Sequence, residues 1–96
     1  YQNWRAADRM HWINSPPPGW SRGAVLRCGA KTRYRQADQT CAVVRRGAEG
    51  VELWFEAPQR AVTPGQYAVL YQGERCLGGA TIRRAAMRPA ALEAAG

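Results

Sequence analysis

Residues 51–56, Val-Glu-Leu-Trp-Phe-Glu, place Val51, Leu53 and Phe55 on one side of an extended chain and Glu52, Trp54 and Glu56 on the other. Successive side chains of a strand point to opposite faces, so this alternation predicts a β-strand whose apolar face enters a core. Working toward the N-terminus, residues 47–50 (Gly-Ala-Glu-Gly) read as a hairpin connection and residues 40–46 as the partner strand. Residues 36–39 make a turn. Before it, residues 23–34 form another strand, with Ala24, Leu26, Cys28 and Ala30 on one face and Arg27, Lys31 and Arg33 on the other.

Toward the C-terminus, residues 63–66 (Thr-Pro-Gly-Gln) carry Pro second and Gly third, the pattern of a type II turn that needs positive φ at its third position. Residues 67–72 follow as a strand and turn through Gln72 and Gly73 into residues 74–77. Gly78 and Gly79 interrupt the pattern, as at a bulge or barrel corner, before a last strand over residues 80–84. Six short strands with no helical crossover predict an all-β fold, a small antiparallel six-stranded β-barrel over residues 22–84.

The flanks read differently. Residues 1–14 hold two of the four tryptophans and the only histidine but no sustained period, which predicts an irregular lead-in. Residues 15–19, Ser-Pro-Pro-Pro-Gly, cannot continue a helix or serve a central strand, so residues 1–21 are expected to be a lead-in and Pro-rich linker from a preceding domain. Residues 85–96 are Ala-rich and are expected to form a flexible tail. The chain opens on Tyr1 in mid-pattern, the expectation for a piece of a longer protein.

At 96 residues the chain suits one compact unit with a thin core. No apolar run approaches the length of a membrane span, and the polar opening lacks a signal peptide's apolar region, so a cytoplasmic protein without membrane association is expected. Three cysteines, Cys28, Cys41 and Cys76, are an odd number at wide spacing and are expected to be free thiols. Cys28 and Cys41 read as core packing, and the spacing is wrong for a zinc site. His11 alone gives no nucleophile a base, and no Gly-rich phosphate loop occurs, so no catalytic, metal or cofactor residues are expected in this chain.

The formal charge of +7, from 14 Lys and Arg against 7 Asp and Glu, suits a polyanionic partner. Residues 22–46 gather Arg22, Arg27, Lys31, Arg33, Arg35, Arg45 and Arg46 against one acid, Asp38. Tyr34 lies between Arg33 and Arg35, so a ring able to stack on a base is flanked by guanidiniums able to fork onto phosphate. The alternative is a solvated barrel face with Tyr34 covering the rim.

Four ordered blocks carry a resemblance: residues 31–36 (KTRYRQ) with Asp38 and Cys41, Glu56-Ala57-Pro58, residues 61–66 (AVTPGQ), and residues 71–79 (YQGERCLGG). Their order and spacing resemble the C-terminal domain of the bacterial and organellar tRNA-specific 2-thiouridylases, and residues 11–13 resemble the entry into that domain. The resemblance implies a β-barrel akin to the second domain of translation elongation factors, resting against bound tRNA. It implies a parent enzyme that uses ATP (with Mg) to replace O2 of the wobble uridine, U34, with sulfur from a persulfide donor. Its nucleotide loop and two catalytic cysteines belong to an N-terminal domain, so this chain alone is expected to be inactive. Partners implied are tRNA, the N-terminal nucleotide-binding and central domains of the same polypeptide, and a sulfur-relay protein. By position, the implied tRNA contacts are Arg33, Tyr34 and Gln66; Lys31 and Arg35 join them on charge. The alternative role is interdomain packing, with the basic face incidental.

Overall fold

The structure is a computed structural model that describes residues 1–21, 23–32, 39–46, 50–60 and 63–88. Its strands are β1 (Gln2–Asp8), β2 (His11–Trp12), β3 (Val25–Lys31), β4 (Gln39–Arg46), β5 (Gly50–Gln59), β6 (Tyr67–Gln72) and β7 (Arg75–Ala86). The described residues contain no helix. Neighbours run β1-β5-β4-β3-β6-β7, and β7 returns to β1, so six antiparallel strands close into a barrel while β2 adds to the outside of β7. Closure gives each barrel strand a partner on both sides, which removes the unpaired edges of an open sheet.

The inward residues are those the alternation selects. Val51, Leu53 and Phe55 of β5 meet Cys41 and Val43 of β4, Cys28 and Ala30 of β3, Ala68 and Leu70 of β6, and Ala80 and Ile82 of β7 in one buried cluster. Leu53, Val43, Cys41 and Ile82 have no exposed surface. Arg46 pairs with Gly50, so the expected hairpin between β4 and β5 is present, although residues 47–49 lie outside the described set. The expected turn at residues 36–39 falls mostly outside it too.

β7 is one strand of 12 residues where two were expected. Its register on β6 passes from Leu70↔Gly78 to Tyr71↔Cys76, leaving Leu77 as an extra residue, so the bulge reading of Gly78 and Gly79 stands while the strand runs on through it. Gly78 has φ 138°, and a Cβ there would collide with the His11 carbonyl oxygen; a Cβ on Gly79 would collide with that of Ala68. The two glycines thus let β2 and β6 approach β7 from opposite sides. The strand also continues past Arg84 to Ala86, into the segment expected as tail, of which residues 89–96 lie outside the described set.

The N-terminal segment departs from the irregular lead-in expected of it. Residues 2–8 form β1, which pairs with both β5 and β7 and closes the barrel. The reason is an inverted pattern. Arg5 and Ala7 point inward, where Arg5 lies 4.6 Å over the Phe55 ring, while the large apolar Trp4 points outward and is buried there at 3% exposure. A cation inside and an indole outside cancel the polar-apolar signal by which strands are read. The Pro-rich run leads back over one barrel end, where Trp20 meets Trp12 edge to face at 5.2 Å and accepts a 3.3 Å bond from Arg45 at its carbonyl.

Arg5 is 2% exposed, its Nε has no partner among the described residues, and its Nη2 makes a long 3.4 Å contact to the Arg60 carbonyl. Burial pushes its guanidinium below the ordinary pKa. A buried charge of this kind is replaceable by an apolar side chain of similar volume without loss. Arg5→Met is therefore expected to melt at or above the wild-type temperature, and Arg5→Ala to lose about 2–4 kcal/mol through the emptied space beside Phe55. Gly78→Ala is expected to cost about 3 kcal/mol or more, because strain at positive φ adds to the clash with His11. Thermal and denaturant unfolding of the three variants checks both expectations.

Candidate nucleic-acid interface

Gln66 ends the turn that the sequence predicts. Its N–H donates to the Thr63 carbonyl at 3.2 Å, and Gly65 has φ 99°, as a type II turn requires. Two further bonds pin the turn to β7: Gly65 N–H to the Ile82 carbonyl and Ile82 N–H to the Gln66 carbonyl, each 2.8 Å. The Gln66 side chain is half-buried, and its Oε1 is buried without a hydrogen-bond partner. An unmet buried acceptor costs about 1–3 kcal/mol.

On the outer face of β3 and β6, Lys31 Nζ lies 5.2 Å from the centroid of the Tyr71 ring. Tyr67, Val69 and Tyr71 alternate with the buried Ala68 and Leu70, and Tyr67 is 46% exposed. Lys31 pairs with Val69, three residues beyond Gln66 and so about 10 Å along β6. Because β3 and β6 are antiparallel, β3 ends at the side of the barrel where β6 begins. Lys31 and the Gln66 turn thus lie toward the same end of the barrel. Arg33, Tyr34 and Arg35 lie outside the described residues. The two tyrosines of β6 were not singled out from the sequence; the period of residues 67–71, with rings at the outward positions, was the available signal.

The basic cluster of residues 22–46 is not uniformly free. Arg27 on β3 reaches over β4 to Glu56 on β5 at 3.3 Å, Arg46 pairs with Glu52 of the neighbouring strand at 3.0 Å, and Arg45 bonds the Trp20 carbonyl. Glu52 also accepts from Trp54 Nε1 at 3.1 Å. Such exposed pairs add little stability, but they remove local positive potential. Arg22 lies outside the described residues.

Cys28 and Cys41 face each other across β3 and β4, both buried, and all three described cysteines are free thiols. The hydrogen bond with the Cys28 side chain and burial push the Cys41 thiol far above its ordinary pKa. It is a packing residue and not a nucleophile. Cys76 is half-buried in a cleft of about 500 Å³ walled by Trp12, Pro16, Leu26, Arg75 and Leu77. His11 is exposed on β2. Among the described residues no three His, Cys, Asp or Glu side chains gather as metal ligands would, and no helix is long and apolar enough to cross a membrane.

Residues 4–82 match the family model described as the aminomethyltransferase β-barrel domain. Over 82 residues the chain is 49% identical to the tRNA-specific 2-thiouridylase MnmA of Methylococcus capsulatus, covering 85% of this chain and 22% of that protein. It is 48% identical over 79 residues to the protein of the same name from Xanthomonas axonopodis pv. citri, covering 82% and 20%. The chain spans about a fifth of the length of the curated relatives it matches.

The cysteine geometry sets one expectation. A maleimide or disulfide reagent should modify Cys76 rapidly in the folded protein at neutral pH, and Cys28 and Cys41 only after unfolding. Because the Cys41 thiol holds its proton more tightly when folded, stability should fall as pH rises above about 8.5, the unfolded thiol's range, by up to about 1.4 kcal/mol per pH unit. Cys41→Ala should remove that slope, as urea unfolding at pH 7.5 and pH 10 would report.

Proposed function

The chain belongs to the aminomethyltransferase β-barrel domain family, and from that membership and its identity to tRNA-specific 2-thiouridylases we propose that it is a tRNA-docking module of such an enzyme. In this reading the barrel carries no reacting group. It sets the angle at which tRNA reaches an active site on other domains of the same polypeptide, where ATP with Mg and a persulfide donor, supplied through a sulfur-relay protein, serve the thiolation of the wobble uridine U34 in the cytoplasm.

The observation that carries the reading is the Gln66 turn. Two backbone bonds fix it to β7, its amide has an unmet buried acceptor, and it lies toward the barrel end where β3 finishes at Lys31, directly before the exposed Tyr67. Arg33, Tyr34 and Arg35 follow Lys31 and Thr32 directly in the chain. Arginine and lysine at such a rim contact phosphates, which position an RNA without reading its sequence. Tyr34 is assigned stacking or sugar contact, and Gln66 a neutral contact to a sugar or base edge.

A second reading, a domain that packs against the rest of the enzyme, is favoured by the exposure of Ile13 and Val25, 59% and 54%, on a surface otherwise rich in Arg. The two separate by measurement. Binding of a substrate tRNA to this chain is expected to weaken steeply with salt, the log-log slope counting the phosphates contacted. Arg33→Ala should lower affinity about tenfold and reduce the slope by about 1. Gln66→Ala should lower affinity and leave the slope alone. If the folded chain binds no tRNA at low salt, and Arg33→Ala leaves tRNA affinity of the full-length enzyme unchanged, the packing reading replaces docking.

A further inference from the structure

The outer face of β1 and β7 carries a second basic site that the resemblance does not mark. Trp4 is 3% exposed although it points away from the core. Its cover is cationic: the Arg88 guanidinium lies 3.7 Å from the ring centroid and that of Arg84 5.6 Å, while Trp54 packs edge-on at 6.4 Å. Arg88 is fixed at its backbone as well. Asn3 Nδ2 donates to the Arg88 carbonyl and Asn3 Oδ1 accepts from the Arg88 N–H, each at 2.7 Å.

We propose that Arg84 and Arg88, gathered over the Trp4 ring, form a phosphate-binding pair that extends the tRNA track from the Gln66 turn along β7. The inference rests on the docking reading above.

First, neither guanidinium has a carboxylate among the described residues. The acids of this face are already committed, Asp8 to Arg83 at 2.9 Å and Glu52 to Arg46 and Trp54. Two like charges gathered on one ring repel, and an anion between them relieves that repulsion. Second, a guanidinium lying against an indole presents its N–H edge outward, and it is held in one plane at little further entropic cost, the preorganisation that a forked phosphate contact needs. Both arginines are exposed. Third, the site is continuous with the first. Ile82 N–H bonds the Gln66 carbonyl, and Arg84 follows two residues on, about 7 Å along the strand. The register shift opposite Ala6 and Ala7 lets Arg83 reach Asp8 while Arg84 turns to Trp4.

The test compares tRNA binding across a salt series for wild type, Arg84→Gln/Arg88→Gln, Arg84→Lys/Arg88→Lys and Arg33→Ala/Tyr34→Ala, each checked for an unchanged barrel spectrum. The Gln pair is expected to bind roughly tenfold more weakly near 0.1 M salt and to lower the slope by up to about 2, one per phosphate lost. The Lys pair should recover the slope, since charge alone sets counterion release, and regain only part of the affinity. Arginine Nε–H resonances of residues 84 and 88 should shift as tRNA is added. If the Arg33/Tyr34 variant weakens binding while the Gln pair matches wild type, the inference is overturned and docking stands. If no form of the chain binds tRNA and the same substitutions leave tRNA affinity of the full-length enzyme unchanged, both fall. If the Gln pair leaves tRNA affinity intact but lowers the melting temperature of the full-length enzyme, the pair meets acidic groups of another domain, and the proposal is again overturned.

Discussion

The antiparallel pairing of β1 with β7 is the constraint on which the rest of the barrel depends, because without it the sheet would be open at two edges. β7 must serve β6 along its first half, β2 at its middle and β1 along its last third. A straight pleated strand cannot do this. The bulge at Leu77 and the shift at Arg83 turn the strand twice, and Gly78 and Gly79 remove the Cβ atoms that would hold two neighbouring backbones off. The same strand carries the bonds that fix the Gln66 turn and Arg84, and it ends two residues before Arg88, the second arginine on Trp4. Closure and the basic outer surface are therefore set by one element.

The interior reflects the narrowness of a six-stranded closure. Its inward positions are filled by Ala, Cys and Val between a few larger side chains, Leu53, Phe55, Leu70 and Ile82. Small residues at facing positions let layers from opposite strands interdigitate. Arg5 is the exception. Its stem and guanidinium fill space beside Phe55 at the cost of an orphaned Nε, so it contributes volume more than bonding.

Much of this was legible in the residues. Alternation in β5 and β6, the Thr-Pro-Gly-Gln turn and the Gly-Gly bulge each rest on local rules, and local rules located them, although β5 runs three residues past Glu56 to Gln59. β1 was not legible, because its inward Arg5 and outward Trp4 acquire their sense only from Phe55 on one side and Arg84 and Arg88 on the other. Partners some eighty residues away in sequence leave no period to read. The candidate site divides in the same way. Gln66 and Lys31 could be named from motif and charge, whereas Tyr67 and Tyr71 emerge once the outward face of β6 is known. Arg33, Tyr34 and Arg35 rest on the sequence alone.

Charge shows why position matters more than sum. A formal excess of +7 suggests a uniformly basic surface, yet Arg27, Arg46 and Arg83 are each matched by a carboxylate on another strand. Arg5 and Arg45 are turned toward the barrel and its end. What remains uncompensated on the described outer surface includes the two guanidiniums gathered at Trp4. Cross-strand acids that quench some arginines leave the residual field concentrated, and a concentrated field orients a polyanion where a diffuse one would only attract it.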